Sequence, residues 1–167
     1  MNLNSKTLND MEKKTVIGVG EFLWDVTPTG KRAGGAPVNF AYHASCDDVE
    51  GWAVSAVGKD ELGRELLAAA RENGIRLLVA EVDWPTGTVD VLLNDGQPDF
   101  HIRENVAWDH IPLTDELKKK ASAASAITFG TLAQRCPVSR ATTKALLEAA
   151  PESAWKVYDI NLRQKFW

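Results

Sequence analysis

The chain has 167 residues, 44% of them hydrophobic and 25% charged, and a net charge of -4. That is the size and composition of one folded domain with its own core. The acidic balance argues against a nucleic-acid partner, and no apolar run reaches the roughly 20 residues of a membrane span.

Residues 1–14, MNLNSKTLNDMEKK, lack periodicity and are expected to form a disordered extension. They also lack the apolar core of a signal peptide. Cys46 and Cys136 have no metal-type spacing, which points to two idle thiols in a reducing cytoplasm. The apolar, β-rich run TVIGVGEFLWDV (15–26) predicts one buried strand, and APVNFAYHASC (36–46) a helix. WAVSAVG (52–58) reads as a strand. DELGRELLAAARENG (60–74) reads as a helix capped by Asp60, with Leu62, Leu66, Leu67 and Ala70 on its apolar stripe. RLLVAEV (76–82) is a third strand. GTVDVLLN and PDFHIR flank Asp95-Gly96 as a β-hairpin standing apart from the main sheet. Thr114 caps the next helix, which ends in lysines at 118–120, where cations suit the helix dipole. A strand follows at 124–130, then a helix at 139–150 stopped by Pro151, then a strand at 155–162.

Strands alternating with helices imply a mostly parallel sheet covered on both faces. Ligands collect at the carboxyl ends of such strands. One stretch there stands out: GKRAGGAPVNFAYHA (30–44). Pro37 fits the first helical position, where its missing N–H costs nothing. Gly34 and Gly35 let a ligand approach the backbone, and the helix start offers free N–H donors. Asn39 falls in the first turn, with an amide that both donates and accepts. Asp25, just past the first strand, supplies two acceptor oxygens. These groups suit a polyhydroxylated, uncharged molecule; a plain Gly-Gly turn with solvent-facing Asn and Asp fits the same spacing. Gly18 and Gly20 give G-x-G, but Leu23 stands at the third position of a dinucleotide fingerprint. That argues against a nucleotide-dependent oxidoreductase. No P-loop, H-E-x-x-H or G-x-S-x-G occurs, and His43, His101 and His110 lack metal-like spacing.

Six fragments in order, GEFLWDVTPTGKRAGGAPVNFAYHA, WAVSAVGKDELGRELL, PTGTVDVLL, ENVAWDHI, FGTLAQR and YDINLRQKFW, resemble the ribokinase-like (PfkB) carbohydrate kinases, and most closely their fructokinase branch. The resemblance runs from about residue 15 to the last residue. It implies a ribokinase-like, Rossmann-type α/β fold: a mostly parallel sheet with helices on both faces and a small β lid, placed at 87–103. It implies ATP-dependent transfer of a phosphoryl group to a sugar hydroxyl. By that resemblance Asp25, Gly34, Gly35 and Asn39 hold the sugar, and Phe100 on the lid covers its apolar face. Gln134 and Arg163 lie near the substrate, and Asn161 lies nearer the nucleotide phosphates. Arg163 in a structural ion pair is the competing reading.

The sequence departs from the family pattern in one respect that bears on chemistry. No Gly-Ala-Gly-Asp motif occurs in the 167 residues. In the family its backbone forms the anion hole and its Asp is the catalytic base. No catalytic residue is therefore expected before Trp167, and ATP and Mg²⁺ are expected to need parts of a complete enzyme beyond it. The expectation is the N-terminal, sugar-binding half of a sugar kinase, with fructose as the sugar and a homodimer formed through the lid. The alternative is a non-catalytic sugar-binding or dimerising module. The strand near 155–160 would leave Val157, Tyr158 and Ile160, with Phe166 and Trp167, partly uncovered. The chain alone is expected to be marginally stable and to self-associate through that edge.

Overall fold

The computed structural model describes residues 13–45, 48–94 and 97–163, without the side chains of residues 92–99. The first apolar run forms two strands rather than the one expected. β1 (Lys14–Val19) ends before Gly20, and β2 (Leu23–Thr27) joins a different sheet. Ile17, Val19, Phe22, Leu23 and Trp24 are all buried, so hydrophobicity runs unbroken through the change of sheet. The Ser55 hydroxyl donates to the Gly20 carbonyl at 2.6 Å and pins the break. Lys14 lies inside β1, so the expected extension is shorter by at least that residue. The rest of the extension, to residue 12, lies outside the described residues.

The segment read as a turn is also a strand. β3 (Gly30–Gly34) pairs antiparallel with β2, matching Asp25 to Arg32 and Leu23 to Gly34. Asp25 therefore sits within a strand, not just past one. Then follow α1 (Ala36–Ala44), β4 (Val49–Gly58), α2 (Glu61–Glu72) and β5 (Arg76–Val82). The hairpin β6 (Gly87–Asn94) and β7 (Gln97–Ile102) comes next; its expected turn at 95–96 lies outside the described residues, as does Cys46. A 3-10 turn (Ala107–His110) leads to α3 (Asp115–Ser122) and β8 (Ala124–Gly130). A second 3-10 turn (Leu132–Gln134) precedes α4 (Pro137–Ala149) and β9 (Trp155–Asp159).

Five strands form a fully parallel sheet in the order β5-β4-β1-β8-β9. Alternate residues of β4 serve opposite faces, as the period of two requires. Ala53 and Val57 join Val38 and Ala41 of α1 and Leu66 and Leu67 of α2 in one core. Val54 and Ala56 join Leu117 and Ala121 of α3 and Leu146 of α4 in the other. Helices thus cover both faces, as in ribokinase-like α/β folds. The smaller sheet, β3-β2-β6-β7, holds the hairpin away from the main one. Trp24 anchors it to α2 by donating its indole N–H to the Leu62 carbonyl at 2.9 Å.

Local signals set the helix ends. The Asp60 carboxylate accepts from the Gly63 amide at 2.8 Å and caps α2, and the Thr114 hydroxyl accepts from the Leu117 amide at 3.2 Å and caps α3. Asp60 also accepts from the Thr86 amide at 2.9 Å and from its hydroxyl at 2.6 Å. Burial pushes the Asp60 carboxyl up, but these bonds outweigh it and hold it below the usual range. One carboxylate thereby ties the start of α2 to the start of the hairpin. Pro37 takes the second helical position of α1 rather than the first; its N–H would have no partner there either. α4 starts at Pro137, two residues before its expected onset, because the same rule admits proline in a first turn. Cys136 precedes it as a half-buried free thiol. No helix among the described residues is long and apolar enough to cross a membrane.

β9 ends at Asp159, shorter than expected, and pairs only with β8. Among the described residues its outer edge has no neighbouring strand. Trp155 is 75% exposed and Ile160 67%, with Val157 and Tyr158 close to half exposed; Phe166 and Trp167 lie outside the described residues. An open edge flanked by apolar side chains is a template for pairing. Sedimentation of the 167-residue chain is therefore expected to show association that grows with concentration. Val157→Lys, which puts a charge on that edge, should return it toward monomer. A wild-type monomer at every concentration would refute the expectation.

Candidate functional site

The chain turns sharply between β3 and α1, and the turn rests on two glycines. Gly35 has φ +123°, a backbone state that side chains disfavour, and an added Cβ would lie 2.2 Å from the Glu21 carbonyl. At Gly34 a Cβ would lie 2.6 Å from Asp25 Oδ2. Gly34 thus leaves room for the Asp25 carboxylate, and Gly35 brings the start of α1 against the β1–β2 connection.

That start is short of caps. Gly35 is the N-cap and has no side chain to accept from the first amides, and Pro37 has no N–H. The acceptor comes from elsewhere in the chain: Glu21 Oε1 takes the Ala36 amide at 3.3 Å. A carboxylate also suits the positive end of the helix dipole.

A cleft of about 250 Å³ opens where α1, the smaller sheet and the segment after β9 meet. Strand register explains its apolar wall. β6 pairs with β2 so that Val89 lies beside Asp25, and with β7 so that Val89 faces Ile102 and Val91 faces Phe100. Leu23, Asp25, Val89, Phe100 and Ile102 line this side. Gly35, Ala36 and Asn39 line the opposite side, with Glu21 between them and Asn161 and Arg163 closing one end. Phe100 is 37% exposed, an aromatic face open to a ligand. The Arg163 guanidinium stands 6.0 Å from its ring centroid and donates through Nε to Asn161 Oδ1 at 2.7 Å. Arg163 is therefore hydrogen-bonded to a neutral amide, and among the described residues it makes no ion pair.

Burial pushes the Asp25 carboxyl above its ordinary value, and Arg32 across the strand pair partly offsets this. Among the described residues Asp25 has no hydrogen-bond donor, which leaves both its oxygens for a ligand.

Six of the residues expected from sequence share this cleft: Asp25, Gly35, Asn39, Phe100, Asn161 and Arg163. Two do not line it. Gly34 faces a separate depression beside Trp24 and Tyr42 and serves the cleft only by sparing Asp25. Gln134 ends the 3-10 turn after β8, and its Nε2 is buried with no partner among the described residues. Tight winding of that turn carries Leu132 to the cleft instead. Asn161, expected apart from the sugar residues, lies among them. Sequence reasoning missed Glu21. Its signal was an acid between the buried apolar residues Val19 and Phe22. Glu21 is 4% exposed, and burial raises its carboxyl to about 7. It also lines a second cavity of about 390 Å³, reaching Phe40, Tyr158 and Asp159.

Residues 8–167 match the model of the pfkB family carbohydrate kinases. The chain belongs to that family. The match starts ahead of residue 15, where the resemblance was placed. An ATP-dependent 6-phosphofructokinase from Thermoanaerobacterium thermosaccharolyticum is 29% identical, over 99% of this chain and 55% of its own length. Fructokinase-1 of Zea mays is 30% identical, over 93% of this chain and 53% of its own length. An uncharacterized sugar kinase from Pyrococcus horikoshii superposes with a TM-score of 0.82 at 25% identity, covering 92% of this chain and 55% of that one. The same protein in complex with ATP gives a TM-score of 0.77. The chain thus spans about half the length of the relatives it matches. Its fold is that of the ribokinase-like sugar kinases, and its family is one of phosphotransferases.

Proposed function

We propose that this chain is the sugar-binding half of an ATP-dependent, fructokinase-like sugar kinase acting in the cytoplasm. The observation that carries this reading is the cleft itself. It sets a free carboxylate, a two-way amide and a helix N-terminus opposite an apolar wall that includes an open aromatic ring. A sugar has the matching anatomy, with hydroxyls at its rim and C–H groups on its faces. Asp25 accepts from two hydroxyls, Asn39 accepts from one and donates to another, and Phe100 covers the ring.

Two carboxyl groups line the cleft, Asp25 and Glu21, against the Arg163 cation. Arg32 pairs with Asp25 across the strands. The acceptors lining the cleft suit the hydroxyls of a neutral sugar, so we assign fructose in preference to fructose 6-phosphate. ATP would supply the phosphoryl group, and Asn161 is the residue here that would face its phosphates. No residue of this chain is assigned to the adenine, to Mg²⁺ or to the base. The lid hairpin, β6 and β7, is the surface we assign to a homodimer of the intact protein.

Calorimetry with the 167-residue chain tests the reading. Fructose is expected to bind, and fructose 6-phosphate to bind more weakly. Asp25→Asn should weaken fructose by about 1–3 kcal/mol and Asn39→Ala by about 1 kcal/mol. Affinity unchanged in both variants would mean that the sugar sits elsewhere. Coupled assays of ADP release should show no enzymatic turnover of fructose by this chain alone. Sugar-dependent ADP release at enzymatic rates would contradict the division of labour proposed here.

A further inference from the structure

Glu21 does more in this fold than its capping bond requires. It sits on the connection between the two sheets, where Oε1 takes the Ala36 amide and the carboxyl also accepts from the backbone amide of Glu21 itself. Oε2 is buried and has no partner among the described residues. A cap needs one oxygen, and a buried acceptor left empty is costly. The residue lines both the cleft and the second cavity, so its carboxyl is shared between them. A positively polarised helix start beside an unpartnered buried carboxyl oxygen is an arrangement that accepts a hydroxyl proton donor.

We propose that Glu21 is a further sugar-contacting residue of the cleft, its Oε2 accepting a hydrogen bond from a hydroxyl of the neutral sugar while its Oε1 holds the N-terminus of α1 in place. This rests on the reading of the cleft as a sugar site. One side chain then joins the ligand to the helix that carries Asn39, and the hydroxyl relieves an acceptor that is otherwise empty.

The free protein holds this carboxyl near 7 because burial disfavours its charge. Among its neighbours Asp159, at the end of β9, also opposes ionisation, and Arg135 favours it. Asp25 and Arg163 line the same cleft, and α1 presents backbone amides. A hydroxyl donating to the carboxylate favours the charged form, so bound sugar lowers the value. By linkage, affinity then rises with pH across this range. Binding is expected to be several-fold tighter at pH 8 than at pH 6.

The test is a carbon NMR titration of the Glu21 carboxyl in the 167-residue chain, with the signal assigned by its loss in Glu21→Gln. The titration is run with and without saturating fructose, alongside calorimetry at pH 6 and pH 8. The expected result is a lower midpoint in the presence of fructose. Binding by Glu21→Gln should persist but lose its pH dependence, and Glu21→Ala should bind at least about tenfold more weakly. If Glu21→Ala does not fold, the Gln variant and the midpoint shift decide the matter. A cap that never meets the sugar predicts a midpoint that fructose does not move, and that result overturns the assignment. Fructose binding that is lost in Asp25→Asn but indifferent to Glu21 and to pH overturns this assignment and leaves the cleft reading intact. No fructose binding by the wild type overturns both.

Discussion

Asp109→Ala is expected to destabilise the protein by about 3–5 kcal/mol, the cost of leaving a buried charge without its partner. Asp109 and Arg135 form a two-pronged pair, with Nε to Oδ1 and an Nη to Oδ2 both at 2.8 Å. Their side chains are 4% and 10% exposed. The same carboxylate accepts from the Val106 amide at 3.2 Å, and the guanidinium also donates to the Arg103 carbonyl at 2.6 Å and lies 4.0 Å from the Trp108 ring centroid. This cluster fixes residues 103–109, the return path from the hairpin to the main body. Removing the carboxylate takes two charged hydrogen bonds from the guanidinium beside the Trp108 ring and loosens that path. Urea denaturation of the single variant, of Arg135→Met, and of the double variant would measure the coupling. Single changes that are each costly, with a double variant less destabilised than their sum, are the expected pattern; losses that simply add would show that the pair is not coupled.

The second large effect concerns Glu21 and pH. Its carboxyl moves from 4.5 in an exposed chain to about 7 in the fold, because burial penalises the charge. The native state therefore binds a proton more tightly than the unfolded chain does. Stability from this group is full below about 4.5, declines as pH rises from there, and is gone above about 7; the whole loss amounts to about 3 kcal/mol. Glu21→Gln keeps the shape and removes the titration. The variant is expected to match the wild type near pH 4.5 and to exceed it by about 3 kcal/mol at pH 8. The informative quantity is the difference between the two proteins, since the remaining carboxyl groups titrate in both. Denaturation curves that stay a constant distance apart from pH 4.5 to 8 would contradict the shift.

Much of the fold is written in local chemistry. Asp60 and Thr114 are small acceptors placed ahead of amphipathic runs, and both cap the helices they precede. Pro151 follows the end of α4. What the sequence concealed was tertiary. Gly20 and Glu21 are the one interruption between Val19 and Leu23, and it is easily passed over because both strands are buried and neither apolar run needs to stop where the chain changes sheets. β3, with two glycines and two cations, has the composition of a turn. It becomes a strand by pairing with β2 at a sheet edge. The cleft was legible where a residue's chemistry and the glycine-led helix start coincided, as for Gly35 and Asn39; Asp25 was legible by its chemistry alone, since it sits inside β2. It was not legible at Gln134, whose direction depends on the winding of a three-residue turn. Glu21 escaped notice because an acid in a buried segment gains its meaning only from the helix start that folds against it.

The order β5-β4-β1-β8-β9 places the first strand synthesised at the centre of the main sheet. β1 can pair with β4 as soon as that strand leaves the ribosome, but its other edge waits for β8. Helix α2, strand β5, the hairpin β6–β7 and α3 must all emerge in between. For that interval the nascent chain exposes a central strand with half its backbone groups unmatched. Such a non-local closure is slow and leaves sticky surface in the open. Asn161 and Arg163 arrive later still, so the ligand cleft is completed only after β1 is enclosed. A ligand that fits it can act only on chains already closed around β1, and so cannot help to start that closure.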